Sequence, residues 1–100
     1  MTKRKTTVDN IRNYDCNNLP SHCVLIDRTT IFGNPFSIGR HGNRDDVIKR
    51  FKRYFTRRVK YDVKFRNTVR KLAGKTLLCW CHPMECHGDV YAEYLNNEKV

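Results

Sequence analysis

No run in this 100-residue chain approaches the length needed to span a bilayer. The basic start Met1-Thr-Lys-Arg-Lys-Thr6 has no apolar segment behind it, so it does not read as a secretory signal. There are no internal repeats and no low-complexity tract. There is no C-x-x-C pair either, which removes the usual signature of a dithiol oxidoreductase. Acid is scarce: ten Asp and Glu face twenty Lys and Arg, for a net charge of +10. Five cysteines is an odd count, and their clustering does not resemble a secreted disulfide framework. Reduced thiols or metal thiolates are expected, in a cytoplasmic protein without a membrane partner.

What is present is unevenly distributed. Residues 44–75 hold thirteen Lys and Arg against three Asp, so the whole net charge lies on this central segment. Such a field attracts nucleic acid or a nucleotide, although a charge run also serves simply to solvate a helix face. Eleven aromatic residues argue against disorder. The length predicts one domain over residues 6–97, preceded by a disordered basic tail over residues 1–5.

The pattern predicts the order strand, strand, helix, helix, strand, helix. Thr6–Ile11 is a weak strand candidate, and His22–Asp27 is a short apolar run that fits a buried strand. Arg28 to Gly42 is a long connection, of the kind that in a compact domain usually carries function. The first helix is capped by Asn43, with Asp45 and Asp46 in its first turn. Val47, Ile48, Phe51, Tyr54, Phe55 and Val59 fall on one arc, and Lys49, Arg50, Lys52, Arg53 and Arg57 on the other. A second helix over Asp62–Ala73 is expected to turn Val63, Phe65, Val69 and Leu72 inward and to stop at Gly74. A strand over Thr76–Cys81 and a helix over Gly88–Leu95 complete the chain. A helical crossover makes the second and third strands parallel. Their C-terminal ends then share one edge, which brings Asp27, Arg28 and the Gly33–Gly42 loop beside Cys81–His87. The expected fold is a small three-layer, Rossmann-like α/β domain with a short, mostly parallel sheet, and ligands of such sheets bind at that edge.

Cys79 to Asp89 reads Cys-Trp-Cys-His-Pro-Met-Glu-Cys-His-Gly-Asp and gathers three of the five cysteines where a strand hands over to a helix. In one reading Cys79, Cys81, Cys86 and His87 hold zinc as a Cys₃His set. The spacing is unfavourable, because Cys79 and Cys81 share a strand face roughly 6.6 Å apart. In the other, Cys86 sits at a helix start where the dipole lowers its thiol pKa, His87 serves as acid or base, and Asp89 orients the imidazole. At least one of Cys79 and Cys81 is expected in the core. Trp80, on the opposite face, is expected in the core too. Gly33-Asn34-Pro35-Phe36 forms a rigid turn that presents the Asn34 amide to a base, ribose or phosphate, with Gly33 supplying a positive φ. Arg28 or Arg40 is the expected anion contact, since Asp45 and Asp46 occupy the helix start that phosphate would otherwise use.

Arg28, Gly33-Asn34-Pro35-Phe36, the basic helix and Cys79-Trp80-Cys81-x-Pro83-x-x-Cys86-His87-Gly88-Asp89 together resemble a small uncharacterised family of α/β domains from bacteriophages and bacteria, over about Val8 to Leu95. The Cys-His turn at a helix start is also similar to that of a second uncharacterised α/β family. These resemblances imply a Rossmann-like nucleotide pocket more than zinc, in a phage-type protein of the host cytoplasm. The leading expectation is a protein that binds, or binds and processes, a nucleotide or nucleotide-derived ligand. Arg28, Gly33, Asn34, Pro35, Arg40 and Cys81 would bind the ligand, and Cys86, His87 and Asp89 would form the reactive corner. The alternatives are a nucleic-acid-binding module using helix 44–60, with or without zinc, and a phage inhibitor of a host protein.

Overall fold

The computed structural model describes residues 5–15, 17–27, 29–81, 84 and 86–97. Arg28, Pro83 and the first four residues of the basic tail lie outside the described residues. The chain runs β1 (Thr7–Asn10), a 3-10 turn (Ile11–Asn13), β2 (Cys23–Leu25), α1 (Arg44–Tyr61), α2 (Val63–Arg70), β3 (Thr76–Cys79) and α3 (His87–Asn97). The strands form a parallel sheet in the order β1-β3-β2. Thr76 pairs with both Thr7 and Cys23, so all three strands start level; β1 and β3 end together at Asn10 and Cys79, and β2 ends one residue earlier, at Leu25 opposite Leu78. A further bond, Ile26 N–H to the Leu78 carbonyl at 3.0 Å, carries the β2–β3 ladder to the mouth of the Asp27 loop.

The helices stop and start for local reasons. The Asn43 side chain accepts from the Asp46 N–H at 2.9 Å, and Asp46 accepts from the Asn43 N–H at 3.1 Å, a complete capping box for α1. Asp62 closes α1 through its backbone N–H and caps α2 through its carboxylate, which accepts from Phe65 N–H at 3.0 Å. That bond, ahead of the nearby Arg58, lowers the Asp62 pKa below its ordinary 3.8. The helix α2 ends at Arg70, earlier than the sequence suggests. Residues 71–74 form turns that finish at Gly74 with φ of +78°, a value glycine tolerates best.

The main core lies on one face of the sheet, where Leu77 and Cys79 meet Phe51, Phe55, Phe65, Val69, Val90 and Tyr91. Every helix contributes to it. Val63, expected inward, is 56% exposed. Phe65, Val69 and Leu72 follow the i, i+4, i+7 stripe that faces α1, and Val63 lies about 200° away from Phe65 around the axis. The opposite face carries a smaller cluster of Ile11, Cys23 and Leu78, flanked by Tyr14, Leu19 and Leu25. No described helix other than the short 3-10 turn covers it. The small α/β domain with a short parallel sheet therefore stands. Its third layer is a 3-10 turn and loop.

Candidate functional site

A cavity of about 400 Å³ opens at the C-terminal edge of β2 and β3. Asp27, Thr29, Asn34, Phe36 and Ile38 come to it from the loop after β2. Cys79, Trp80, Cys81, Cys86 and His87 come from the end of β3 and the start of α3, and Arg44 and Ile48 from α1. The two polar loops that parallel strands should bring together do meet here. The volume falls in the range of ordinary small-ligand sites.

The loop after β2 is held by its own hydrogen bonds. Thr30 donates through its N–H and its hydroxyl to the Asp27 carbonyl at 3.1 and 3.0 Å, and Gly33 N–H donates to Thr30 O at 3.2 Å. Tyr91 of α3 donates its hydroxyl to Phe32 O at 3.0 Å, which anchors the loop to the core. The Asn34 carbonyl oxygen accepts from Phe36 N–H at 2.9 Å across Pro35, so its amide nitrogen is the group left to donate to a ligand. Gly33 does not use a positive φ; the described glycines that do are Gly39, Gly42 and Gly74. Gly33 and Pro35 therefore shape the turn without lining the cavity. Arg40 is exposed and outside it. Among the described residues the cation on the wall is Arg44, at the start of α1.

The floor is built from the cysteine cluster. Cys79 and Cys86 are buried, with their sulfurs 3.0 Å apart. The Cys86 thiol is pushed far above its ordinary 9.0, first by its hydrogen bond to Cys79 and then by burial. This is the opposite of the lowered pKa expected from its place at a helix start. The dipole stabilises a thiolate only where solvent or a cation shares the task; here another thiol and apolar side chains surround the sulfur.

His87 Nε2 donates to the Ile26 carbonyl at 2.6 Å, and its ring packs edge-on to Phe51 at 5.4 Å. It ties α3 to the end of β2. Asp89, expected to orient an imidazole, instead accepts from Cys86 N–H at 3.1 Å and caps α3. Cys86, His87 and Asp89 thus all carry bonds that hold the turn between β3 and α3. Nor does the proposed zinc set converge. Among the described residues no group of three or more His, Cys, Asp or Glu side chains is placed to hold a metal ion, and the His87 nitrogen nearest β2 is taken by backbone.

Trp80 is a second correction. It is 55% exposed, where a core position was expected. β3 ends at Cys79, so Trp80 stands beyond the paired strand on the thinly covered face. The Arg12 guanidinium lies 6.0 Å from its ring centroid, and Asn10 donates to its carbonyl at 3.2 Å. Trp80 and Phe36 both line the cavity, so two of its lining residues are aromatic. Cys81, half-buried, lines the opening and packs against the margin of the main core. The Asp27 carboxylate, which accepts from the Thr29 N–H and hydroxyl, supplies an acceptor. Together these groups suit a flat aromatic ligand with hydroxyl or amine donors and an anionic tail. The features that could have revealed them from sequence are positional: Asp27, Phe36, Trp80 and Arg44 all lie one to three residues beyond a strand end, a turn or a cap.

The model of the family described as a domain of unknown function, DUF4326, matches residues 9–97. The chain is also 38% identical over 74 residues to the uncharacterized 12.4 kDa protein in the nrdA-td intergenic region of Enterobacteria phage T4, which covers 73% of this chain and 67% of that relative. No solved structure matches it. Among the described residues no helix is long and apolar enough to cross a membrane.

Proposed function

The chain belongs to the DUF4326 family, and from the chemistry of its site we propose that it binds a nucleotide or nucleotide-derived ligand at the C-terminal edge of its sheet. One observation carries the reading. A single cavity of about 400 Å³ has aromatic walls, Trp80 and Phe36, together with a carboxylate, an amide and a guanidinium from Asp27, Asn34 and Arg44. The aromatic walls stack a base. Asp27 accepts from ribose hydroxyls or base amines, Asn34 donates to a base carbonyl, and Arg44 meets phosphate. Binding is favoured over thiol chemistry at Cys86, whose sulfur is buried 3.0 Å from that of Cys79.

Trp80 is the chain's one tryptophan, so it reports its own site. Adding adenosine, guanosine, cytidine or uridine monophosphate to the protein is expected to quench its fluorescence saturably. Asn34→Ala and Asp27→Asn should each weaken that titration by about 1–3 kcal/mol, the cost of losing a buried or charged hydrogen bond. If no nucleotide of the panel quenches Trp80, the proposal fails.

A further inference from the structure

We infer that the nucleotide entering this cavity belongs to a single-stranded nucleic acid whose backbone lies along α1. The inference rests on the nucleotide reading of the cavity and names its substrate class. Phe36 carries it: besides lining the cavity, its ring borders a much larger open groove of about 1330 Å³ along the outer side of α1. Phe36 meets Tyr54 edge-on at 6.1 Å, so the ring stands where cavity and groove join.

The groove is basic along one stripe. Arg50, Arg53, Arg57 and Lys60 line it at intervals of three and four residues, which places them on one helix face over about 15 Å. Three other cations of the helix are partly neutralised by acids: Lys49 pairs with Asp45 at 3.0 Å, Lys52 with Glu93 at 3.9 Å and Arg58 with Asp62 at 3.5 Å, the last pair also bordering the groove. Among the described residues no carboxylate pairs with Arg50, Arg53 or Arg57. A face meant only to be solvated gains nothing from leaving its charges unpaired in a concave row, whereas a row of phosphates matches it.

The far end of the groove carries Tyr61, 72% exposed, with the Lys60 ammonium 5.3 Å from its ring centroid. An exposed aromatic ring beside unpaired cations is the arrangement on which unpaired bases stack. A duplex would hide its bases from both Tyr61 and the cavity, and a lipid surface would find the groove concave and charged. A single strand satisfies both ends: phosphates on the arginine stripe, one base at Tyr61 and another past Phe36 against Trp80.

The test compares a fluorescein-labelled twelve-nucleotide thymidine strand, thymidine monophosphate, a hairpin duplex, heparin and phosphatidylserine vesicles, all with the intact chain. The strand is expected to bind at least 100-fold more tightly than the mononucleotide and to quench Trp80. Four phosphate contacts imply about a 50-fold loss of strand affinity between 50 and 200 mM salt. Both Arg53→Glu/Arg57→Glu and the milder Arg53→Gln/Arg57→Gln should remove most of the strand's advantage and leave mononucleotide quenching unchanged. Tyr61→Ala should weaken the strand by about 5- to 100-fold and leave heparin unaffected.

If the mononucleotide quenches Trp80 and the strand binds no more tightly, the inference falls while the nucleotide reading stands. Strand binding that neither quenches Trp80 nor responds to Asn34→Ala also overturns it, since the strand then never enters the cavity. So does binding of heparin, hairpin or vesicles equal to that of the strand, because the stripe is then a general polyanion surface. Silence of Trp80 toward every nucleotide removes both readings together.

Discussion

Gly88 is where the helix that floors the site touches the sheet, and replacing it tests how tightly that junction is set. A Cβ at this position would lie 2.9 Å from Ile26 Cδ1, 3.1 Å from Val8 Cγ1 and 3.3 Å from Cys86 Sγ. The first contact is shorter than packed carbons allow, and Ile26 is fully buried, so its methyl has no solvent to move into. Gly88→Ala therefore costs about 1–3 kcal/mol of overpacking, offset by up to about 1 kcal/mol from the better helix propensity of alanine. The expected net loss is about 1–2 kcal/mol, and each kcal/mol lowers Tm by roughly 4–8 °C in a domain of this size. Ile26→Val removes the offending methyl and alone costs about 0.5–1.5 kcal/mol. In the double variant the two changes relieve each other, so urea midpoints should give a loss about 1 kcal/mol smaller than the sum. Strict additivity, or a Gly88→Ala protein more stable than the parent, would refute the packing described at this junction.

The remaining expectations concern the thiols and the first helix. With iodoacetamide on the folded protein, Cys81 should label before Cys79 and Cys86, because it alone of the three is not buried; rapid alkylation of Cys86 would contradict the raised pKa. The same shift has a pH consequence. The unfolded Cys86 thiol ionises near its ordinary 9.0 while the folded one stays protonated, so its contribution is intact below about pH 9 and is lost as pH rises above it. Tm should therefore fall steadily from pH 9 upward, reinforced above pH 10 by Tyr91, whose hydroxyl burial also pushes up, and a flat alkaline profile would count against both assignments. Asn43→Ala breaks the capping box of α1 and should cost about 1 kcal/mol by thermal denaturation; no change would mean that Asp46 and water replace the cap.

Much of the fold was legible because it rests on local signals. Asn43, followed by Asp45, Asp46 and an arc of apolar residues, defines α1 without tertiary help, and Val47, Ile48, Phe51, Phe55 and Val59 are indeed buried. The parallel pairing of β2 and β3 followed from the two helices between them. The second face of the sheet was not legible. Nothing in the sequence after β1 shows that the chain crosses β3 there, because its few apolar residues follow no helical or strand period. Val63 shows a related limit. It is apolar and adjacent to the buried stripe, and only the angle around the helix separates it from Phe65.

The site divided along the same line. The convergence of the two loops was readable, since parallel strands bring their following loops to one edge, and Asn34 and Cys81 both line the cavity there. The role of Cys86 was not. Helix position alone argued for a thiolate, but the contact that decides the matter is with Cys79, seven residues away and on another element. A pKa is set by the nearest groups in space, and the turn between β3 and α3 is what brings them together. Arg44, Phe36 and Trp80 escaped for a different reason. Each has an ordinary role in sequence, as a helix residue, a turn neighbour and a strand residue, and acquires another only once the cavity has walls.

Those walls and the floor differ in what they contribute. Cys79, Cys86 and His87 are buried and bonded, and they also hold β3 and α3 to the end of β2. Substituting any of them should change stability and binding together, since the packing that forms the cavity is the packing that forms the core. Trp80 and Arg44 are at least partly exposed and contribute little to that core. Trp80→Ala should leave the urea midpoint within about 0.5 kcal/mol of the parent, as for other surface changes. Its loss is then read only in the ligand, by a thermal shift with nucleotide that the variant lacks. A large fall in the urea midpoint would mean that the indole packs into the core after all and is not free to meet a ligand.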